Sequence, residues 1–101
     1  MGTVIHKIDI LLGLAGRTLP TGKVLHLQAK PLAQGVLQVW VEAETDQDLK
    51  YTSLRPVCVY PTGGTPAEGA QHLATTVTEG GLVWHLYDMS ACQGWGTRGD
   101  K

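Results

Sequence analysis

A glycine-rich loop is the one local segment of this sequence whose composition offers a physical mechanism for holding a ligand. It reads Thr62-Gly63-Gly64-Thr65. Glycines let neighbouring backbone amides converge on an anion, and a helical turn starting at Thr65 would direct further amides to the same place, so the loop could cradle a phosphate or a carboxylate. A loop that only turns the chain is the competing and favoured interpretation, because a lone glycine pair is far less specific than a Walker motif.

Aromatic and basic side chains on the predicted strands, together with the glycine-rich loop, suggest a nucleotide as the ligand. In that hypothesis Arg55 pairs with phosphate, and Trp40 or Tyr60 stacks on a base. In the alternative, the same aromatic residues form a flat contact surface for a protein. Core packing is the default role of aromatic residues on strands, although some could instead form a stacking or contact surface; the residues concerned are Trp40, Tyr51, Tyr60, Trp84 and Tyr87.

No set of residues has the spacing of a catalytic or metal site. The four histidines are His6, His26, His72 and His85. None has a second ligand at the spacing that zinc sites show, so we predict no metal and expect these rings to be hydrogen-bonded within the sheet. Cys58 and Ser53 lack the strained turn that exposes a nucleophile. We therefore predict no catalytic residue and no cofactor, with a small enzyme as the third-ranked alternative because folding can assemble a site that spacing hides.

Length and composition point to one compact globular domain. The chain has 101 residues, of which 43% are hydrophobic and 17% charged. A chain of this size can bury a core without disulfides or metal ions. The net charge of −1 argues against DNA or RNA as a partner, since nucleic-acid binders are usually basic. No apolar run reaches the roughly 18 residues of a membrane span, and the first residues lack the regions of a signal peptide. We expect no membrane partner and a cytoplasmic location.

Hydrophobic periodicity predicts a succession of short strands. They cover residues 3–12, 23–29, 36–43, 49–60, 71–78 and 82–87. Pro56 cannot donate to a ladder, so the fourth strand should lie at an edge, bulge or break there. The segment Leu19-Pro20-Thr21-Gly22 predicts a turn. Thr65, Pro66 and Glu68 have the types and spacing that start a helical turn.

These elements predict an all-β fold, a small antiparallel sandwich or barrel of six to seven short strands with one short helical turn. We expect residues 3–88 to form a single β domain and residues 89–101 to form a flexible tail that folding does not need. The strand faces predict a mostly buried core of Leu25, Leu27, Leu37, Val39, Val41, Val83 and Leu86. A homo-oligomer is expected, because so small a sheet protein has edges to cover.

Five short blocks occur in order along the chain. They are Ile5-His6-Lys7, Leu19-Pro20-Thr21-Gly22, Val24-Leu25-His26-Leu27-Gln28, Leu37-Gln38-Val39-Trp40 and the segment 81–88. Together they resemble a family of small proteins found in bacteriophage genomes and prophages, to which no function is assigned. The resemblance implies a viral or prophage origin and brings no catalytic residues. Where that family tends to have a Gly-Thr-Gly-His turn, this chain has Thr62-Gly63-Gly64-Thr65, so no role for that histidine carries over.

The missing catalytic pattern and the resemblance together lead to an expected function. We expect a non-enzymatic, phage-type binding protein in the cytosol of the host cell, a host-defence antagonist that either sequesters a nucleotide signal or caps a host protein. The alternative is a virion or assembly accessory protein with a structural role. Bound nucleotide that is released intact would favour sequestration, whereas a fixed oligomer found in virus particles would favour assembly.

Overall fold

The computed structural model describes residues 2–12, 16–46, 48, 50–51, 53–78 and 80–92, which contain seven strands and no helix. The strands are β1 (Gly2–Leu11), β2 (Arg17–Pro20), β3 (Gly22–Ala29), β4 (Val36–Thr45), β5 (Leu54–Pro61), β6 (Gln71–Val77) and β7 (Val83–Asp88). Sheet A has the order β1-β4-β3, and sheet B has the order β2-β5-β7-β6. All neighbouring strands are antiparallel, which confirms the predicted all-β antiparallel class.

The core lies between the two sheets and follows the period-two alternation of their strands. In β4, Leu37, Val39 and Val41 are fully buried, as predicted. Leu86 of β7 and Val57 of β5 bring the matching apolar layer from sheet B. The other buried members of the cluster are Ile10, Leu19, Leu27 and Ala43. Each sheet therefore keeps one face for the core and leaves the other available to solvent.

The chain passes from sheet B to sheet A at Thr21, between the end of β2 and the start of β3. A Cβ atom at Gly22 would overlap the carbonyl oxygen of Glu42 and lie 2.9 Å from the Cα atom of Ala43. Only glycine therefore lets β3 begin so close to β4. The sequence predicted a turn at this point but not strand β2, whose Leu19 is fully buried.

A bulge in β3 makes the predicted burial of Leu25 wrong. The register with β4 shifts between Val24 and His26, so Leu25 is the extra residue on its strand and is 42% exposed. Val24 packs against the core in its place. Val83 is half-buried, because Trp84 and Leu86 are the residues of β7 that face the core.

The predicted helical turn after Thr65 is not formed. The amide of Ala70 instead donates to the carbonyl of Ala67 at 3.0 Å, which closes a β-turn. Gly69 within this turn has a φ of +95°, a conformation that a right-handed helix does not contain. The segment is thus a loop that leads from β5 into β6.

Pro56 neither ends nor breaks its strand, contrary to the prediction. It is the third residue of β5 and lies opposite Thr18 of β2, inside the sheet order. Its carbonyl accepts a hydrogen bond from the amide of Met89 at 2.9 Å. The pairing of β5 with β7 begins at Val57, so Pro56 pairs only with β2 and the strand continues through it.

Packing continues past residue 88, where the domain was predicted to end. Met89 is fully buried and Cys92 is 5% exposed. A Cβ atom at Gly69 would lie 2.8 Å from the carbonyl oxygen of Ala91, so the 89–92 segment rests directly on the loop before β6. Residues 93–101 of the predicted tail lie outside the described residues.

Candidate functional site

The outer face of sheet B carries a partly exposed group of aromatic and imidazole rings. Leu86 is fully buried in the core, so its neighbours His85 and Tyr87 point to the opposite side of β7. Tyr60 of β5 lies opposite His85 in the register and therefore shares that outer face. Two adjacent strands thus place three ring side chains together.

A bulge in β6 adds His72 and Thr75 to the same face. Three residues apart, these two side chains would point to opposite sides of a regular strand. The register with β7 shifts between His72 and Ala74, so that His72 lies opposite Tyr87 and Thr75 lies opposite His85. The extra residue turns the strand by one position, and both polar side chains meet the rings of β7.

A continuous chain of side-chain hydrogen bonds links these residues. The Thr62 hydroxyl lies 2.9 Å from Nε2 of His85, and Nδ1 of His85 lies 2.8 Å from the Thr75 hydroxyl. The same hydroxyl lies 2.7 Å from Nε2 of His72. A hydroxyl has one proton and two acceptor positions, so Thr75 can donate to one ring and accept from the other. These contacts also confirm, for His72 and His85, the expectation of hydrogen bonding within the sheet.

Ring contacts hold the aromatic members in fixed relative positions. Tyr60 and Tyr87 meet edge to face with centroids 5.5 Å apart, and His72 and Tyr87 do so at 5.5 Å as well. The two imidazole rings lie 6.0 Å apart. We call this group the aromatic–histidine face, defined as Tyr60, Thr62, His72, Thr75, His85 and Tyr87. It offers stacking surfaces and polar atoms on a rigid sheet, which is the chemistry of an adhesive surface.

The predicted glycine loop contributes one residue to this face. Thr62 reaches His85 through its hydroxyl, and its amide donates to the carbonyl of Val83 at 3.0 Å. The amide of Gly64 donates to the carbonyl of Pro61 at 2.9 Å. Gly63 has a φ of +95°, which suits the tight turn. Two of the four loop amides are therefore used within the protein, while Gly63, Gly64 and Thr65 are exposed at the end of β5, so the geometry favours a turn over an anion cradle.

Arg55, predicted to pair with phosphate, is engaged inside the molecule. Its guanidinium lies 3.3 Å from a carboxylate oxygen of Asp88 and donates to the carbonyl of Gly22 at 3.0 Å. The two charged side chains are only 12% and 16% exposed. Burial by itself raises the pKa of Asp88, but hydrogen bonds from Ser90 and the charge of Arg55 outweigh burial and lower this pKa. Arg55 thus ties sheet B to the first residue of β3 in sheet A.

Trp40, predicted to stack on a base, lies on the opposite side of the sandwich from Tyr60. Val39 and Val41 are fully buried, so the Trp40 side chain between them points to the outer face of sheet A. There it contacts the ring of His26 with centroids 5.5 Å apart. The structure therefore brings Tyr60 and Thr62 together but leaves Arg55 and Trp40 in separate places.

Four members of the aromatic–histidine face were not predicted as site residues, namely His72, Thr75, His85 and Tyr87. The sequence does carry a signal for His85 and Tyr87. They alternate with Trp84 and Leu86, and one of the two faces of that strand has to pack against the core. His72 and Thr75 had no such signal. Their common face depends on the bulge, and no residue type in β6 predicts that bulge.

A separate groove of 860 Å³ opens at one end of the sandwich, between the β3–β4 loop and the β6–β7 turn. Leu12, Val36, Leu82 and Trp84 are among the residues that line it. The indole nitrogen of Trp84 is buried and has no hydrogen-bond partner among the described residues. No member of the aromatic–histidine face lines this groove, so that face presents its groups on an open sheet surface.

Within the described residues, no three histidine, cysteine, aspartate or glutamate side chains are grouped closely enough to hold a metal ion. The same part of the chain contains no helix that could cross a membrane.

The chain belongs to the family described as a domain of unknown function, DUF7352, whose model matches residues 1–94. No curated protein and no solved structure matches the sequence.

Proposed function

We propose that this protein is a non-enzymatic binding protein that recognises a protein partner through the aromatic–histidine face. The observation that carries the proposal is the hydrogen-bonded chain Thr62-His85-Thr75-His72, flanked by the two tyrosine rings. Side chains already held in place lose little conformational entropy on binding. Tyrosine rings with a polar tip are also the groups that protein interfaces favour.

The hydrogen bonds of His85 support a binding role over a catalytic one. Both of its ring nitrogens are bonded to threonine hydroxyls, so no carboxylate orients this imidazole as a general base. Thr75 is bonded to two imidazoles and lies on an exposed strand position, where water would compete for a reacting group. A catalytic threonine needs an orienting group behind its base and a shielded site.

The shape of the surface supports a protein over a nucleotide as the partner. Small-molecule sites are concave and bury most of their ligand, whereas these residues lie on the open face of a sheet. Arg55, proposed to pair with phosphate, and Trp40, one of the two residues proposed to stack on a base, are not on this face, although Tyr60 and Thr62 are. The resemblance to phage and prophage proteins supports a partner from the host cell, and capping a host-defence protein is the role that we propose.

The test compares the same substitution on the two outer faces. His72→Glu changes the aromatic–histidine face, and His26→Glu changes the outer face of sheet A; both residues are exposed. Proteins captured from a bacterial lysate by the wild type would be identified, purified and titrated calorimetrically against all three forms. We expect His72→Glu to weaken binding by about tenfold or more, as the loss of an interface anchor does, and His26→Glu to leave it unchanged.

Thermal melting of both variants would first establish that each is folded. Equal affinity of the wild type and His72→Glu for every purified partner would refute the proposed surface. Incubation with cyclic and linear nucleotides gives a second arm. A melting shift with intact nucleotide would show sequestration instead of capping, and chemical conversion of the nucleotide would show an enzyme.

A further inference from the structure

We propose that β1 pairs with β1 of a second copy of this chain, antiparallel and with the twofold axis at Ile8, so that the two three-stranded sheets A join into one continuous sheet. The interface is the free edge of β1, which is distinct from the aromatic–histidine face of sheet B. Among the described residues, β4 is the one strand that pairs with β1, and it occupies one side only.

A comparison of the four edge strands shows why β1 is the one open to pairing. Exposed edges are usually protected by short length, proline, bulges or charged side chains, and the charges of β1 are of both signs, so that they can pair with those of a second copy. β2 has four residues and ends at Pro20. β3 is bulged at Leu25, and β6 is bulged between His72 and Ala74. β1 instead has ten residues without proline, and its register with β4 runs unbroken from Gly2 to Leu11.

The outward side chains of β1 complement themselves when the strand is turned around Ile8. In that register Lys7 lies opposite Asp9 of the second copy, and Asp9 lies opposite its Lys7. Ile5 lies opposite Leu11 of the second copy, and these two apolar side chains are 60% and 50% exposed in the single chain. Opposite charges and apolar pairs directly across a ladder both stabilise it. The same axis therefore satisfies charge and covers exposed apolar surface.

Neighbouring registers lack this complementarity. A twofold axis perpendicular to the sheet keeps the outer faces of both strands on the same side. Because residues directly opposite each other must share a face, the axis can lie only at a residue and not between two residues. An axis at Lys7 would place two lysines opposite each other, and an axis at Asp9 would place two aspartates opposite each other. Like charges directly opposite destabilise a pair of strands, so the sequence of β1 selects Ile8.

The ion pair already present on this face is compatible with the dimer. Asp9 binds Lys30 of its own chain at 2.8 Å, yet its side chain remains 44% exposed. A carboxylate has several acceptor positions and can accept from a second lysine. The dimer would carry two copies of the aromatic–histidine face, which lies on the other sheet and stays accessible.

The experiment uses charge reversal and mixing. Lys7→Glu alone places Glu opposite Asp9, and Asp9→Lys alone places Lys opposite Lys7, so each variant repels itself at two symmetric pairs. Sedimentation equilibrium from about 1 to 300 µM should show the wild type as a dimer at high concentration. Each variant should have a dimer dissociation constant raised about tenfold to a hundredfold. An equimolar mixture restores opposite charges at both pairs, so the dimer should return as a heterodimer.

Lys23→Glu is the matched control. Lys23 is exposed on β3, the other edge strand of sheet A, and its reversal changes the net charge by the same amount. It should leave the dimer intact, and melting curves should show all variants folded. A wild type that stays monomeric at 300 µM would overturn the proposal. So would a dimer that Lys7→Glu does not weaken, or variants whose mixture remains monomeric.

Discussion

Met89 gives the sharpest test of where the folded domain ends. Its side chain is fully buried, although it follows β7 and was predicted to begin a flexible tail. Replacing Met89 with alanine removes three heavy atoms from this site. At about 0.8 kcal/mol per methylene-sized group the transfer loss is about 2.4 kcal/mol. A residual cavity adds to that figure, so we expect a destabilisation of about 3 kcal/mol, within the usual range for buried methionine.

The assay is thermal and urea unfolding followed by circular dichroism. For a domain of this size, a loss of about 3 kcal/mol should lower the melting temperature by roughly 12–24 °C. Leu32→Ala is the control, because Leu32 lies in the β3–β4 loop with its side chain fully exposed, and it should leave the melt within about 2 °C of the wild type. A Met89→Ala protein that melts with the wild type would show that the 89–92 segment contributes nothing to the fold.

Two further outcomes follow from the fold and its buried ion pair. Leu25→Lys should change stability by less than about 0.5 kcal/mol because Leu25 is the exposed bulge residue, whereas Leu27→Ala in the core should cost about 2–5 kcal/mol, and urea midpoints of the two would separate these values. The pKa of Asp88 is lowered in the folded protein, so its contribution to stability is present above the unfolded pKa and disappears as pH falls from about 4 through the lower folded pKa. Asp88→Asn should therefore be less stable than the wild type at pH 6, and this difference should shrink between pH 5 and pH 2.5. A difference that stays constant across that range would contradict the assigned ion pair with Arg55.

Local sequence patterns predicted the elements that obey a simple period. The alternation of Leu37, Val39 and Val41 was sufficient to place β4 and its buried face, because only the face that carries these three apolar side chains can pack against a core. The same reasoning failed at Leu25, where one extra residue reverses the direction of every side chain that follows, and for the same reason it could not place His72 and Thr75 on one face. It also missed β2, since four residues that include a proline carry too little periodic signal.

The sequence predicted only part of the candidate site. Tyr60 and Thr62 were singled out, and the structure brings them together. Arg55 was assigned to a ligand because an arginine near a glycine loop suggests an anion site. Its true neighbours, Asp88 and the carbonyl of Gly22, come from parts of the chain 33 residues away on either side.

The sequence by itself determined the all-β class, the positions of most strands, the apolar faces of β4 and the absence of a catalytic spacing pattern. These properties depend on neighbours within a few residues, where backbone geometry converts residue type directly into direction. Tertiary structure alone decided the sheet order, the two bulges, the burial of Met89 and the grouping of Thr62, Thr75 and His85. Those features arise where distant strands are held in register by hydrogen bonds and core packing, and a register is a property of two segments that neither segment encodes alone.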